Sequence, residues 1–535
     1  MAGFDAVFVG SGINSLAGAA LLAKEGWRVC LLERNDWLGG AIKTVDGLTA
    51  PGFRHEVFSS WHPLWVGSPA YAELKPDLDR LGLEYLNTDL PTGTVFPDGS
   101  SAHLSTDGRA NVAEFGEEWQ RQFDDFMAAA DIAFGVLGSE LWSGQGLSLG
   151  RRAYKQFGRR GLVQFAGHSL LSARDWLHDT FPRERAHGLL APWVLHTGLG
   201  PDQAMSGFMT QVIACALQLG GMPVPKGGGA NLVDGLAAIV REAGGELRTE
   251  AEVERILVSD GKATAVRLAD GETIAATRAV LACVTPTQLY GSLLAENDTS
   301  AEVREQALRF RYGRGEMQIH IAMDELPRWK GDERLASTPL LHLTPGLDGV
   351  SCAVNEADRG LLPAEATIAL GQPMAVDPSR APEGSWVIWV QLQELPPRPK
   401  GDAAGEIDVG DGTWTEELRE AYADRIVERI GRHIENLDTA TVARVVMSPA
   451  DMEAANPNWV GGDIYAGSCS LDQNLLFRPT PATPGHETPV ERLWHIGAST
   501  HPGPGLGAGS GYIVAKHLTR GPLARRLLAK LPGIP

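Results

Sequence analysis

Two glycine-rich turns carry the residue types that hold phosphates. One is Gly10-Ser11-Gly12, after the apolar run Ala6-Val7-Phe8-Val9; the other is Gly497-Ala498-Ser499-Thr500-His501-Pro502-Gly503-Pro504-Gly505, followed by Leu506. Glycine admits tight turns and lets backbone N–H groups approach a diphosphate with no Cβ in the way. Gly10 permits the turn and Gly12 the close approach, while Ile13 leads into a helix opening at Asn14 whose N-terminus favours an anion. Ser15 stands where a third glycine would serve helix–strand packing, and serine is small enough to replace it. Glu33 is placed to accept hydrogen bonds from ribose hydroxyls. One such turn is a weak signal. Two, far apart in the chain, imply one long cofactor held from two sides, and that points to FAD.

The elements that must position these residues follow from the hydrophobic pattern. A strand over 5–9, a helix over 14–25 and a second strand over 28–33 form the context that makes the glycine fingerprint credible. Pro225-Lys226-Gly227-Gly228-Gly229-Ala230 opens another helix. Strands are then expected over 245–248, 251–258, 263–268, 273–275 and 278–283, with turns at Asp260-Gly261 and Asp270-Gly271. Candidate helices cover 112–134, 173–181 and 414–434, and candidate strands 316–322 and 386–392. Residues 396–412, rich in proline and glycine, read as a surface loop.

After Glu33, the segment Arg34-Asn35-Asp36-Trp37-Leu38-Gly39-Gly40-Ala41-Ile42-Lys43-Thr44 places paired glycines where more backbone N–H groups would meet the diphosphate. It resembles the second dinucleotide motif of the phytoene desaturase, amine oxidase and GDP-dissociation-inhibitor superfamily of FAD-fold proteins. Gly461-Gly462-Asp463-Ile464-Tyr465, Leu471-Asp472-Gln473, Arg478-Pro479 and residues 493–515 resemble the phytoene desaturase-related branch, which includes carotenoid desaturases and isomerases. The resemblance implies an α/β fold: a discontinuous Rossmann-like FAD-binding domain (1–90, 221–299 and 447–535) with an inserted α+β substrate-binding lobe (91–220 and 300–446). It also implies that the backbone of Val253 meets the adenine. The expected cofactor-binding set is therefore Gly10, Gly12, Ile13, Asn14, Ser15, Glu33, Arg34, Gly39, Gly40, Ala41, Val253, Gly497, Ala498, Gly505 and Leu506.

Acid–base residues are sparser. His501, in the second turn, is the candidate catalytic base, with a structural hydrogen bond as the alternative. The resemblance brings this turn and the segment around His55 and His62 near the flavin, making Trp61, His62 and Tyr465 candidates for a substrate-cavity wall or for plain packing. No Ser-His-Asp order, paired-carboxylate motif or metal-ligand spacing stands out, so no metal is expected. The five cysteines include no CxxC pair and read as buried thiols of a reducing compartment.

With 535 residues, more than one lobe is expected. The formal charge of −19 argues against general nucleic-acid binding. Residues 203–225 carry no charge but include several glutamines and hydroxyls, so a buried helix is expected rather than a membrane span. Basic, partly apolar stretches at 151–171 and 520–530 leave peripheral membrane contact open for an otherwise cytoplasmic protein, although a solvated helix face is the simpler reading. The function expected is FAD-dependent dehydrogenase- or desaturase-type hydride transfer to flavin N5 from an apolar, isoprenoid-like small molecule. A flavin amine or alcohol oxidase on a smaller polar substrate, and a non-catalytic lipid-binding protein of the GDP-dissociation-inhibitor type, are the alternatives. The electron acceptor and the substrate itself are not legible.

Overall fold

The computed structural model describes residues 3–520. Its opening is strand, helix, strand: β1 (Phe4–Val9), α1 (Ile13–Lys24) and β2 (Val29–Leu32). Ala6, Val7 and Phe8 are fully buried, as a central parallel strand covered on both faces requires. The helix has no polar face, because every residue from Ile13 to Ala23 is buried.

Beside β1 lies β3 (Thr273–Cys283), and beside β3 lies β4 (Leu493–Ile496), both parallel to β1. Strand Glu246–Arg248 extends the sheet beyond β2. Thus the carboxyl ends of these parallel strands converge on one edge. The two expected strands at 273–275 and 278–283 are one, because β3 changes partner midway. Its first residues pair antiparallel with Lys262–Leu268 and its later ones parallel with β1.

After β4, α2 (Gly509–Thr519) packs against α1. The Gly511 N–H donates to Asn14 Oδ1 at 3.1 Å, and a Cβ on Gly511 would lie 1.9 Å from the Asn14 carbonyl oxygen. Only glycine allows this crossing, so two segments nearly five hundred residues apart are locked together.

A second seven-stranded sheet runs in the order Thr441–Met447, Gly315–Met323, Trp386–Leu395, Ile368–Gly371, Leu340–Leu343, Thr92–Val95, Ser101–Leu104. Helices from 108–220 cover part of it, through Trp119, Trp176, Trp193 and Leu217 against Leu340, Ala369 and Trp389. The expected helix over 112–134 is two, Gly108–Phe115 and Glu117–Gly138, broken where Gly116 adopts φ +100°. The uncharged run forms the buried helix Ser206–Gly220. Its glutamines are satisfied inside: Gln218 Oε1 accepts from Asn111 Nδ2 (2.9 Å) and Trp119 Nε1 (2.6 Å). Among the described residues no helix is long and apolar enough to cross a membrane.

Residues 396–412 are not simply surface loop. Strand Gly401–Asp402 pairs with Leu361–Leu362, and the buried Asp402 carboxylate accepts two bonds from Arg425 at 2.7 Å each. The basic residues of 151–160 lie on helix Gly144–Ser169. Beyond Arg520, the second basic stretch lies outside the described residues.

Candidate functional site

A cavity of about 710 Å³ opens where the parallel strands end, bordered by Val9-Gly10 at the end of β1, Leu32-Glu33 at the end of β2, Cys283-Val284 at the end of β3 and Gly497-Ala498 just after β4. The carboxyl edge of such a sheet is where ligands bind in open α/β folds. The cavity continues to the second sheet, where Gln318, Leu340, Trp389, Gln391 and Gln393 form its wall.

In the nucleotide portion, Gly12 caps α1 with no side-chain hydrogen bond, and the first turn has no acidic residue. The leading N–H groups of a helix lack intrahelical partners, so this end is ready for an anion. Gly10 has φ +87°, and a Cβ there would lie 3.2 Å from the Cys283 carbonyl oxygen. The second glycine loop touches the first: a Cβ on Gly40 would lie 3.1 Å from Gly12 Cα, and the Gly39 N–H donates to the Ser11 carbonyl (3.2 Å). The Glu33 carboxylate is 7% exposed and accepts from Ser11 N–H (3.0 Å), Ser11 Oγ (2.6 Å) and Asn35 N–H (2.9 Å). Its position is thereby set by the turn itself.

From the other side, α2 also begins without a side chain of its own capping residue, Ala508. Ser510 Oγ accepts from the Gly497 N–H at 3.0 Å and meets Thr500 Oγ1 at 2.8 Å, which ties the turn to the helix. Behind the turn lies Arg478, fully buried and hydrogen-bonded to carbonyls. It donates to Ala498 twice (3.1 and 2.7 Å), to Ser468 (3.1 Å), to Gln473 (3.3 Å) and to Tyr465 (3.2 Å). Burial lowers the guanidinium pKa from its ordinary value. The open helix starts, the glycine loops that leave room for a ligand, and the buried carboxylate all fit an adenine dinucleotide with a flavin.

Every residue of the expected cofactor set borders the cavity except Ser15, which is fully buried in the first turn of α1. Trp61 and Tyr465 border it as well. His501 does not. Its ring is buried and is not among the groups bordering the cavity, and desolvation lowers its pKa to about 4, so it stays neutral. His62 is also set back: fully buried, its Nδ1 meets Tyr85 Oη at 2.9 Å, and burial holds it at about 3. Proximity in sequence to Trp61 and to the glycine turn does not decide which way a ring points.

Several wall residues escape sequence reasoning. Trp389, Gln391 and Gln393 alternate along strand Trp386–Leu395 and so share a face. That polar alternation inside a buried strand is a signal that could have been read. Gln391 Nε2 donates to Glu316 (2.6 Å), a buried carboxyl whose pKa desolvation pushes well above the usual range. Gln393 Nε2 donates to Tyr465 Oη (2.8 Å), which donates to the Leu195 carbonyl (2.7 Å). His196, a lone histidine in the short helix Ala191–Thr197, gives no pattern at all, yet borders the cavity.

The profile of the family described as "Flavin containing amine oxidoreductase" matches residues 16–385. Mouse pyridine nucleotide-disulfide oxidoreductase domain-containing protein 2 is 26% identical, over 95% of this chain and 92% of that protein. Phytoene desaturase (neurosporene-forming) of Rhodobacter capsulatus is 25% identical, over 97% of this chain and 94% of its own. An oxidoreductase from Methanosarcina mazei shares the fold, with TM-score 0.60 and 15% identity over 96% of this chain and 99% of that one.

Proposed function

This chain belongs to the flavin-containing amine oxidoreductase family, and we propose that it is an FAD-dependent dehydrogenase of desaturase type acting on an uncharged, mainly apolar, isoprenoid-like small molecule. Bound FAD supplies a two-electron acceptor for hydrogen removed from a substrate C–H bond. In this reading the N–H groups of Gly12, Ile13 and Asn14, with those of Gly40 and Ala41, hold the diphosphate. Glu33 takes the ribose, and Arg34 and Val253 border the adenine. Gly497, Ala498, Gly505 and Leu506 face the flavin. Arg478 positions the Ala498 carbonyl and adds a buried positive charge beside that turn, where negative charge growing on reduction would be stabilised. The FAD-binding part comprises 1–90, 221–299 and 447–535, and the substrate lobe 91–220 and 300–446.

The observation that carries the reading is the charge of the wall. Among the described residues bordering the cavity, the charged ones are Glu33, Arg34, Glu252 and Glu254, all on the nucleotide side. The second-sheet side presents Trp, Leu, Gln, His and Tyr. A protonated amine there would be desolvated without a counter-ion, at several kcal/mol, which disfavours an amine substrate. The likeness to a phytoene desaturase supports an apolar one. Anaerobic mixing of purified protein with unsaturated terpenoids or with primary amines tests this. Bleaching of the flavin absorbance by a terpenoid is expected; bleaching by amines alone would overturn the reading.

Delivery from a bilayer fits such a substrate. Helix Gly144–Ser169 exposes Leu147, Tyr154 and Val163 beside Arg151, Arg152, Lys155, Arg159 and Arg160, a surface suited to anionic lipid. Flotation with anionic but not neutral vesicles is the expected result.

A further inference from the structure

We propose that the ligand of this cavity is not a bare hydrocarbon but carries one neutral oxygen function, a hydroxyl or carbonyl, anchored by His196. The inference rests on the reading that the second-sheet side of the cavity receives the substrate. His196 lies deep in the molecule yet keeps exposed surface, and it is among the residues bordering the cavity. Its Nε2 sits 2.9 Å from Nε2 of His342, which is fully buried on strand Leu340–Leu343. The Trp193 ring lies against His196, with centroids 4.5 Å apart, and stands edge-on to His342 at 5.1 Å. The three rings hold one another in place.

Both imidazoles are neutral. Burial holds His196 at about 3 and His342 well below 6.5. In a neutral pair one Nε2 donates and the other accepts. The remaining nitrogen of His342, Nδ1, is buried without a partner. An unpaired acceptor is tolerated better than an unpaired N–H, so the bare nitrogen of His342 is Nδ1 and its proton is on Nε2, donated to His196. His196 then carries its own proton on Nδ1, which has no hydrogen-bond partner among the described residues. The pair therefore offers a donor for a ligand oxygen.

The neighbouring wall offers acceptors. Strand pairing sets His342, Ala369, Gln391 and Gln318 in one cross-strand row. The amide nitrogens of Gln391 and Gln393 are committed to Glu316 and Tyr465, which leaves their carbonyl oxygens without partners among the described residues. The oxygen of an alcohol or of a carbonyl can accept from His196, and the glutamine oxygens keep the adjoining wall polar but uncharged. A carboxylate finds no cation among the residues of this wall that border the cavity, so the geometry that admits a neutral oxygen disfavours an anionic one.

The test is anaerobic equilibrium binding to the FAD-loaded full chain, read both by perturbation of the flavin spectrum and by quenching of tryptophan fluorescence, since Trp61, Trp193 and Trp389 border the cavity. The probes share one skeleton: limonene, perillyl alcohol, perillaldehyde and perillic acid. The alcohol or aldehyde should bind about tenfold tighter than the hydrocarbon, the worth of one hydrogen bond, and the carboxylate weakest of the oxygenated probes. His196→Phe should erase the preference while FAD content holds, and it should lower the melting temperature because it strands the buried His342 N–H; His196→Gln, which keeps a donor and an acceptor, should retain part of the preference and serves if the phenylalanine variant does not fold. Equal or absent binding across the series, or a preference that survives His196→Phe, would overturn the proposal. A colourless protein would instead defeat the functional reading, and tryptophan quenching would still report the preference.

Discussion

Replacing Gly511 by alanine probes the crossing that joins the two halves of the cofactor site. A glycine-to-alanine change inside an exposed helix ordinarily stabilises by up to about 1 kcal/mol. Here the new Cβ would lie 1.9 Å from the Asn14 carbonyl oxygen and 2.7 Å from its carbon, both backbone atoms that cannot rotate away. Restoring ordinary contact requires α1 and α2 to separate by about 1.5 Å, an overpacking strain of roughly 1–3 kcal/mol. It also breaks the bond from the Gly511 N–H to Asn14 Oδ1 and shifts both helix starts away from the ligand. Purified Gly511→Ala should therefore melt lower and bind FAD at least tenfold more weakly, 1.4 kcal/mol per decade. Gly18→Ala is the graded control, because its Cβ would meet a Phe8 ring carbon at 3.3 Å and the Gly511 carbonyl at 3.4 Å. FAD titration followed by flavin fluorescence, with thermal unfolding of the apo protein, separates binding from stability. If Gly511→Ala matches wild type in both, the interlock is not what aligns the site.

Glu33→Gln removes the charge that accepts from the Ser11 N–H, its hydroxyl and the Asn35 N–H; charge-assisted bonds are worth about 1.5–3 kcal/mol, so FAD should bind roughly ten- to a hundredfold more weakly by fluorescence titration. Glu316→Gln should stabilise the protein at pH 8. The buried carboxyl holds a proton in the fold that the unfolded chain releases above about 4.5, so wild type loses stability as pH rises, and the variant's advantage in melting temperature should shrink towards pH 5. Acid should act in the opposite sense through histidine. His62, His196 and His320 are held at about 3, and His55, His103, His495 and His501 at about 4, all by desolvation. The unfolded chain takes up protons below about 6.5 that the fold refuses, so stability is present above that pH and falls between 6.5 and 4. A flat urea midpoint across that window would contradict the buried neutral set.

The nucleotide half was legible because its demands are local. Gly10, Gly12 and Glu33 sit within one strand–helix–strand unit, and the apolar runs on either side admit few alternatives. β3 was misdivided because its pattern changes: buried and exposed residues alternate where it pairs antiparallel, then give way to a continuous buried run between parallel neighbours. The helix over 112–134 failed at Gly116, whose positive φ leaves no mark on the apolar periodicity. The cavity wall on the second sheet was not legible for a different reason. His196 is held by His342, 146 residues away, and Gln391 by Glu316, 75 residues away, so only the tertiary fold assembles them. His501 lies in the expected turn, but its buried ring is not among the groups that border the cavity.

FAD stoichiometry of the purified chain tests the central claim most directly, measured from the absorbance of flavin released on denaturation and compared across wild type, Gly12→Val and Gly505→Val. One FAD per chain in wild type, lost in each variant although the two glycines come from opposite turns, is the expected result. A wild-type protein that is colourless and takes up no added FAD, or retention of full occupancy in either variant, would contradict a cofactor held jointly by both segments.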